Sequence, residues 1–422
     1  MPPSSGDAWP ERFASNDAPV SQEHIVRALA AYDPARLTLC SIGSHSALEV
    51  AYGARAQALR NLIVTAKGRE QTYLRHFARR EQPVGRGCVD AVLELQAFSD
   101  ILDDEVQQRL LRQNVIFVPN RSFEVYLREK YEYEEIERRM LVPFFGNRAL
   151  LKAEERTPHV TPSPSSFDSA QDDITSLRTG SVEGDQYALM RAAGIRHPRR
   201  YASPDEIDCL VMVKAPHARV SFERAFFLAS SPEEYRATAG HLMDEGTLSA
   251  AGLASARIEE YALGPSVNFN FFYSPLLGEL ELSGTDTRRQ TNLEGFRNVP
   301  PAAFDAVRGI TMRLEEAGHI ATTVVESMLE PAFDIGERFV RAAREAQPPG
   351  VIGPFALQCI VAAGPPKELV CYDVSLRIPG SPGTRFTPYS AYRWGRDISV
   401  GERIAMEVVM ARDTNRLPDV LT

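Results

Sequence analysis

The chain has 422 residues, with 47 Lys and Arg against 56 Asp and Glu, for a net charge of −9. That length supports two or three domains with substantial cores, and 44% hydrophobic with 24% charged residues excludes a wholly disordered chain. The acidic balance argues against broad nucleic-acid contacts, no apolar run reaches the ~18 residues of a membrane helix, and the five cysteines lack zinc-site spacing, so a cytoplasmic protein with free thiols is expected.

Residues 1–22 read as a loose polar leader. An amphipathic stretch over 24–32 then leads to the apolar run LTLCSI, the turn GSHS, a helical pattern over 47–60 and the run NLIVTA. This is a β-turn-α-β unit, and VDAVLEL, a helix over 103–112 and VIFVPN repeat it. A small, parallel, doubly wound sheet over 23–122 is therefore predicted. Ligands of such sheets sit beyond the carboxyl ends of the strands, where helix N-termini present unpaired amides. Three loops meet that description: Gly43 to Ser46 with His45, Lys67 to Arg69, and Asn120 to Ser122. Their hydroxyls, cations and imidazole suit a phosphorylated small molecule, while Gly, Ser and Asn are also ordinary turn formers.

Residues 123–139, FEVYLREKYEYEEIERR, predict one charged helix bridging domains within a linker over 123–156. The Ser/Thr/Pro/Asp-rich stretch 157–180 reads as an unstructured insertion. Residues 181–262 predict a compact α/β lid: strand CLVMVKAP with Lys214, loop HARVSFER with Arg219, strand AFFLA, a helix, and hinge strand RIEEYALG with Glu260 and Tyr261. Lys214 interrupts an apolar strand, so its ammonium either snorkels to the rim or meets a phosphate. Residues 263–422 open on the β-run NFNFFYSPLLGELELSGTD, pass Arg288, Arg289 and Asn292, and reach a hairpin turning at Gly-Pro-Pro. Gln358 and Asp373 lie on its two strands, where an amide oxygen and a carboxylate suit a hydrated Mg²⁺; the other reading is a surface hairpin with a wet polar face.

This order of parts resembles an ATP-grasp enzyme. The motifs IGSHSALEVAYGA, KGRE, VPFFGNRALLK, IEEYALG, NLEGF, VIGPFALQ, YDVSLRI and PYSAYRWG, spread in order over about residues 23–412, resemble the archaeal formate-dependent aminoimidazole-carboxamide ribonucleotide (AICAR) formyl ligase family. The resemblance implies an α/β ATP-grasp fold behind a Rossmann-like N-terminal domain, a homo-oligomer, and formylation of AICAR in purine biosynthesis through formyl phosphate. Its substrates would be ATP, formate and AICAR, with Mg²⁺, or Mn²⁺ in its place, as the metal. Carried over by position, it implies AICAR contacts from His45, Ser122 and Asn292, and ATP contacts from Lys214, Glu260 and the hinge at Tyr261. Gln358 and Asp373 would hold the metal, and Arg288 or Arg289 would stabilise charge on the transferring phosphoryl.

The chain departs from the family pattern at three places. No glycine stands between Lys214 and Phe227, where the family's phosphate loop is glycine-rich, so Arg219 or Arg224 would have to substitute by charge. Asp373 replaces a usual Glu, and Asn120 with Arg121 replaces a His-Gly pair. These departures keep open a ligase for a different acid and phosphorylated amine, and a non-catalytic nucleotide-binding paralogue.

Overall fold

The computed structural model describes residues 19–155, 185–216, 224–291, 293–307, 310, 316–379 and 382–422. The leader through residue 18 and the insertion over 157–180 lie outside the described residues. The apolar runs of the first part become β1 (Thr38–Ile42), β2 (Arg60–Ala66), β3 (Ala91–Leu95) and β4 (Val115–Phe117), all parallel in the order β3-β2-β1-β4. Both β1 and β4 are buried at every position, as a sheet covered on both faces requires. The order reverses at β1, so the loops after β1 and β4 flank the crevice of the sheet.

Two expectations need correction here. The helix expected over 47–60 ends at Ala56, where Ala58 takes φ 57° and turns the chain into β2. The single bridging helix expected over 123–139 is two helices, Arg121–Leu127 and Tyr133–Arg139. Phe123, Leu127 and Ile136 are buried in the core of the parallel sheet, so the abundant charges concealed an inward-facing apolar stripe.

The lid is an antiparallel sheet of β5 (Arg200–Tyr201), β6 (Val211–Pro216), β7 (Arg224–Ala229) and β8 (Arg257–Glu260), in the order β5-β8-β6-β7. A third sheet has the order β11-β10-β9-β12-β13, from β9 (Ser266–Ser274), β10 (Glu279–Gln290), β11 (Glu316–Ala321), β12 (Gly353–Ala362) and β13 (Glu368–Ser375). Alternation in β9 sends Val267, Phe269, Phe271 and Tyr273 into the core that also holds helix Leu329–Ala346. There Phe355 stacks on Phe271 at 5.4 Å and on Phe339 at 5.7 Å. Each buried phenylalanine stabilises by about 1.5–3 kcal/mol, enough to fix the phase of the strand. The even positions are thereby committed to the opposite face.

The C-terminal stretch crosses the boundary expected at 263. Helix Val400–Asp413 returns to the first domain, and Val400, Ile404, Val408, Val420 and Leu421 join the core under the parallel sheet. It crosses helix Ala47–Ala56 at two glycines. A Cβ on Gly53 would lie 2.1 Å from the Gly401 carbonyl carbon, and one on Gly401 would lie 2.1 Å from the Glu49 carbonyl oxygen. Gly401→Ala should therefore cost about 2 kcal/mol through forced separation of the helices, despite alanine's better helix propensity. A thermal melt equal to the wild type's would show that the crossing tolerates a methyl group.

Candidate active site

In the lid, pairing of Val213 with Ile258 and of Met212 with Glu259 sets two faces. Val211, Val213, Ala215 and Ile258 pack inward with Phe227 and Tyr235. Lys214 and Glu259 share the opposite face, with Lys214 Nζ 2.6 Å from Glu259 Oε2. Glu259 is 1% exposed, and Arg200 Nε lies 3.5 Å from its Oε1. Burial alone would raise this carboxyl, but Lys214 and Arg200 outweigh it and hold it down at about 2. Glu260, expected to contact ATP, lies on the other face from Lys214: Arg196 Nη2 donates to both its oxygens, at 2.7 and 2.8 Å, and the Arg199 amide donates at 3.0 Å. The carboxylate presented beside Lys214 is thus Glu259, because neighbouring strand residues face opposite ways. Tyr261 is half-buried, and its amide donates to the Leu210 carbonyl at 2.9 Å. Arg219 lies outside the described residues.

The even face of the third sheet is a row of polar side chains. Asn268 pairs across strands with Gln358 and with Asp286, Gln358 with Asp373, and Arg288 with His319. Asp286 is fully buried and accepts from Asn268 Nδ2 at 2.7 Å and Asn270 Nδ2 at 2.6 Å, with His319 Nδ1 also at 2.6 Å. Arg288 Nη2 lies 3.9 Å from Asp373 Oδ2. Arg289 is exposed on the opposite face, so the chain brings one of the two expected arginines to this row. Sequence reasoning placed Glu259 on the hinge strand without assigning it a role, and missed Asp286, Asn268, Asn270 and His319. The alternation N-F-N-F in β9 was the available signal for the asparagines, since phenylalanines going one way send their neighbours the other.

Gln358 and Asp373 do face each other, as the hairpin pattern implied. Gln358 is 2% exposed; its Nε2 donates to Ser375 Oγ at 3.3 Å, while its Oε1 is buried without a hydrogen-bond partner. A buried carbonyl oxygen left unpaired beside a part-exposed carboxylate is a donor set suited to a hard cation. Among the described residues no cluster of three or more His, Cys, Asp or Glu is placed to hold a metal ion. Two protein oxygens nevertheless fit Mg²⁺, which keeps waters and binds substrate phosphate oxygens.

The lid pair and this row meet at Tyr187, whose hydroxyl is 3.0 Å from Glu259 Oε1 and 3.2 Å from the Tyr372 carbonyl oxygen. Burial pushes the Tyr372 phenol up to about 12, and the positive charges of Arg288 and Lys214 oppose that rise. At the parallel sheet, the loops after β1 and β4 are tied together. Asn120 Nδ2 donates to Ser41 Oγ at 3.1 Å and to the Ile42 carbonyl at 2.9 Å, and its Oδ1 caps the next helix by accepting from the Phe123 amide. His45 is exposed on the first loop, and Ser122, expected in the loop after β4, is buried in the first turn of helix Arg121–Leu127. Ser46 Oγ donates to the Pro379 carbonyl at 2.6 Å, joining the first loop to the chain leaving β13. Arg69, after β2, lies 5.4 Å from the Phe98 ring and 5.3 Å from the Tyr126 ring and donates to the Tyr126 hydroxyl. Asn292 lies outside the described residues. No described helix is long and apolar enough to cross a membrane.

Residues 234–422 match the family profile described as a domain of unknown function (DUF1297), and residues 39–162 match one described as a protein of unknown function (DUF1246). A 5-formaminoimidazole-4-carboxamide-1-(beta)-D-ribofuranosyl 5'-monophosphate synthetase of Methanopyrus kandleri is 33% identical over 96% of this chain and 100% of its own length. The protein of the same name from Methanocaldococcus jannaschii is also 33% identical, with the same coverage of both chains. Among solved structures, an IMP biosynthesis protein, PurP, of Thermococcus kodakaraensis superposes with a TM-score of 0.61 at 27% identity, covering 91% of this chain and 100% of that one. Biotin carboxylase of Campylobacter jejuni, at 11% identity and a TM-score of 0.51 over 88% of this chain and 70% of that one, shares the fold.

Proposed function

Since the chain belongs to the family of 5-formaminoimidazole-4-carboxamide ribonucleotide synthetases, we propose that it formylates AICAR with ATP and formate. Formate carries no leaving group, so its carboxylate first takes the γ-phosphoryl of ATP to give formyl phosphate and ADP. The AICAR amine then attacks the formyl carbon. The new N–C bond forms as the C–O bond to phosphate breaks, the phosphate departs with the electron pair, and the nitrogen loses a proton. Because the acyl phosphate hydrolyses in water, the protein must exclude solvent and hold the amine against it.

The observation that carries this reading is the bridge made by Tyr187, which joins the Lys214–Glu259 pair to the Tyr372 carbonyl, next to the Asp373 that faces Gln358 and Arg288. In the proposed arrangement Lys214 and Arg288 neutralise phosphate charge, and the hinge at Tyr261 borders the adenine. Gln358 and Asp373 would hold Mg²⁺, or Mn²⁺ in its place, and the ion would supply charge neutralisation to the phosphates. His45, on the loop after β1, and Ser122, in the first turn of the helix after β4, bind the ribonucleotide at the sheet crevice.

Incubating the purified chain with ATP, Mg²⁺ and formate should release ADP only when AICAR is present, with formylated product in equal amount. ADP release confined to another acid or amine, or nucleotide binding without turnover, would overturn the assignment. His45→Ala should raise KM for AICAR about tenfold and leave KM for ATP unchanged, since one polar contact to the substrate is lost. Equal loss of both would contradict the placement of His45.

A further inference from the structure

Strand β13 carries a bulge that is supported from outside its sheet. Leu357 pairs with Val374, Gln358 with Asp373 and Cys359 with Cys371, so Tyr372 is an extra residue with no partner on β12. Continuing the register of the cysteine pair would have set Tyr372 opposite Gln358; the bulge sets Asp373 there instead. β13 is also an edge strand, so no neighbouring strand takes its outward backbone groups.

One segment takes them. Gln186 Oε1 accepts from the Val374 amide at 2.6 Å, Tyr187 donates its hydroxyl proton toward the Tyr372 carbonyl at 3.2 Å, and the Cys371 amide donates to the Arg196 carbonyl at 2.8 Å. Gln186 and Tyr187 open helix Gln186–Ala192, whose start is capped by Asp185 accepting from the Ala188 amide at 2.7 Å. The same segment grips the hinge strand β8 through Tyr187 on Glu259 and Arg196 on Glu260. A single phenolic proton is thus shared between the carboxylate beside Lys214 and the bulge beside Asp373.

We propose that Gln186 and Tyr187 are positioning residues, which fix Asp373 for the divalent cation and Glu259 for Lys214, so that one strut aligns the metal and nucleotide halves of the site. The proposal rests on the ligase reading above. Calorimetric titration of the full chain with ADP, in the absence of metal and over a Mg²⁺ series, tests it without turnover. Gln186→Leu should raise the Mg²⁺ concentration for half-maximal stimulation of ADP binding about tenfold, the worth of one hydrogen bond, while metal-free ADP affinity stays the same. Tyr187→Phe keeps its ring under the Arg200 guanidinium, 3.6 Å away, and should both raise the Mg²⁺ requirement and weaken metal-free ADP binding. An unchanged Mg²⁺ requirement in either folded variant, or equal weakening of both modes of binding in the two variants, overturns the strut. A wild-type chain that binds ADP in neither condition would instead remove the ligase reading, and the proposal with it.

Discussion

Lys214→Met should lower kcat/KM for ATP by about 10²–10³-fold, the usual loss when one preorganised charge facing a transferring group is removed. The same change should destabilise the fold. Methionine preserves the apolar stem, so packing is kept, but Glu259 stays 1% exposed with Arg200 at 3.5 Å as its nearest remaining cation. Stranding one partner of a buried pair costs about 3 kcal/mol. The pH dependence follows from the sign of the Glu259 shift. Its folded value, about 2, lies below the ordinary 4.5, so the stability it contributes is present above 4.5 and lost as pH falls through about 2. Without Lys214 the folded value rises, and the acid transition of the variant should begin at higher pH. Adding Glu259→Gln to Lys214→Met removes the stranded charge and should recover most of the melting temperature while ATP turnover stays low. Steady-state kinetics with ATP varied, together with melts between pH 3 and 8, read both effects. A variant with wild-type KM and kcat for ATP would show that Lys214 faces no phosphate.

Which parts of this site could be read from the chain depended on how sharply local pattern fixes strand phase. The parallel sheet was legible because LTLCSI, NLIVTA and VIFVPN are apolar runs set off by Gly and Ser turns, and the positions of the chain beyond the carboxyl ends of β1, β2 and β4 follow from it. Gln358 and Asp373 were legible as a pair because the Gly-Pro-Pro turn centres the hairpin, although the bulge that finally brings them opposite left no mark in the residue types. Which hinge carboxylate meets Lys214 was not legible, because Glu259 and Glu260 are chemically identical neighbours and only tertiary pairing to β6 decides between them. The same ambiguity of one residue separates Arg288 from Arg289. Asp286 and His319 come from successive strands whose connection carries no hairpin turn signal, so only the observed pairing of β10 with β11 joins them. Helix Val400–Asp413 escaped assignment to the first domain for a related reason: its close approach to helix Ala47–Ala56 depends on two glycines separated by most of the chain.

Glu49→Gln should make the protein more stable above neutral pH, by about 3 kcal/mol. Glu49 lies in the first turn of helix Ala47–Ala56, immediately after the loop that carries His45, and is 8% exposed. Its Oε1 accepts from the Val400 amide at 3.1 Å, while its Oε2 is buried without a hydrogen-bond partner. Burial pushes the carboxyl up to about 7, and the amides of Gly401 and Val400 only partly offset this. With the folded value above the ordinary 4.5, the stability associated with the protonated acid is fully present below 4.5 and is lost as pH rises through about 7. At 1.36 kcal/mol per pH unit, the interval from 4.5 to about 7 corresponds to about 3 kcal/mol. Glutamine keeps the oxygen that accepts from Val400 and carries no charge at any pH, so it reproduces the protonated state permanently. Nearby Glu402 is paired with Arg396 at 2.7 Å and accepts from Gln57 at 3.1 Å, contacts that the substitution leaves in place, so the difference between the two proteins isolates Glu49. Urea melts from pH 5 to pH 8.5 should give nearly coincident stabilities at the acid end and a widening gap in favour of the variant at the alkaline end. Parallel curves would mean that Glu49 is ionised in the folded protein, with the amides at the start of helix Val400–Asp413 strong enough to hold its charge.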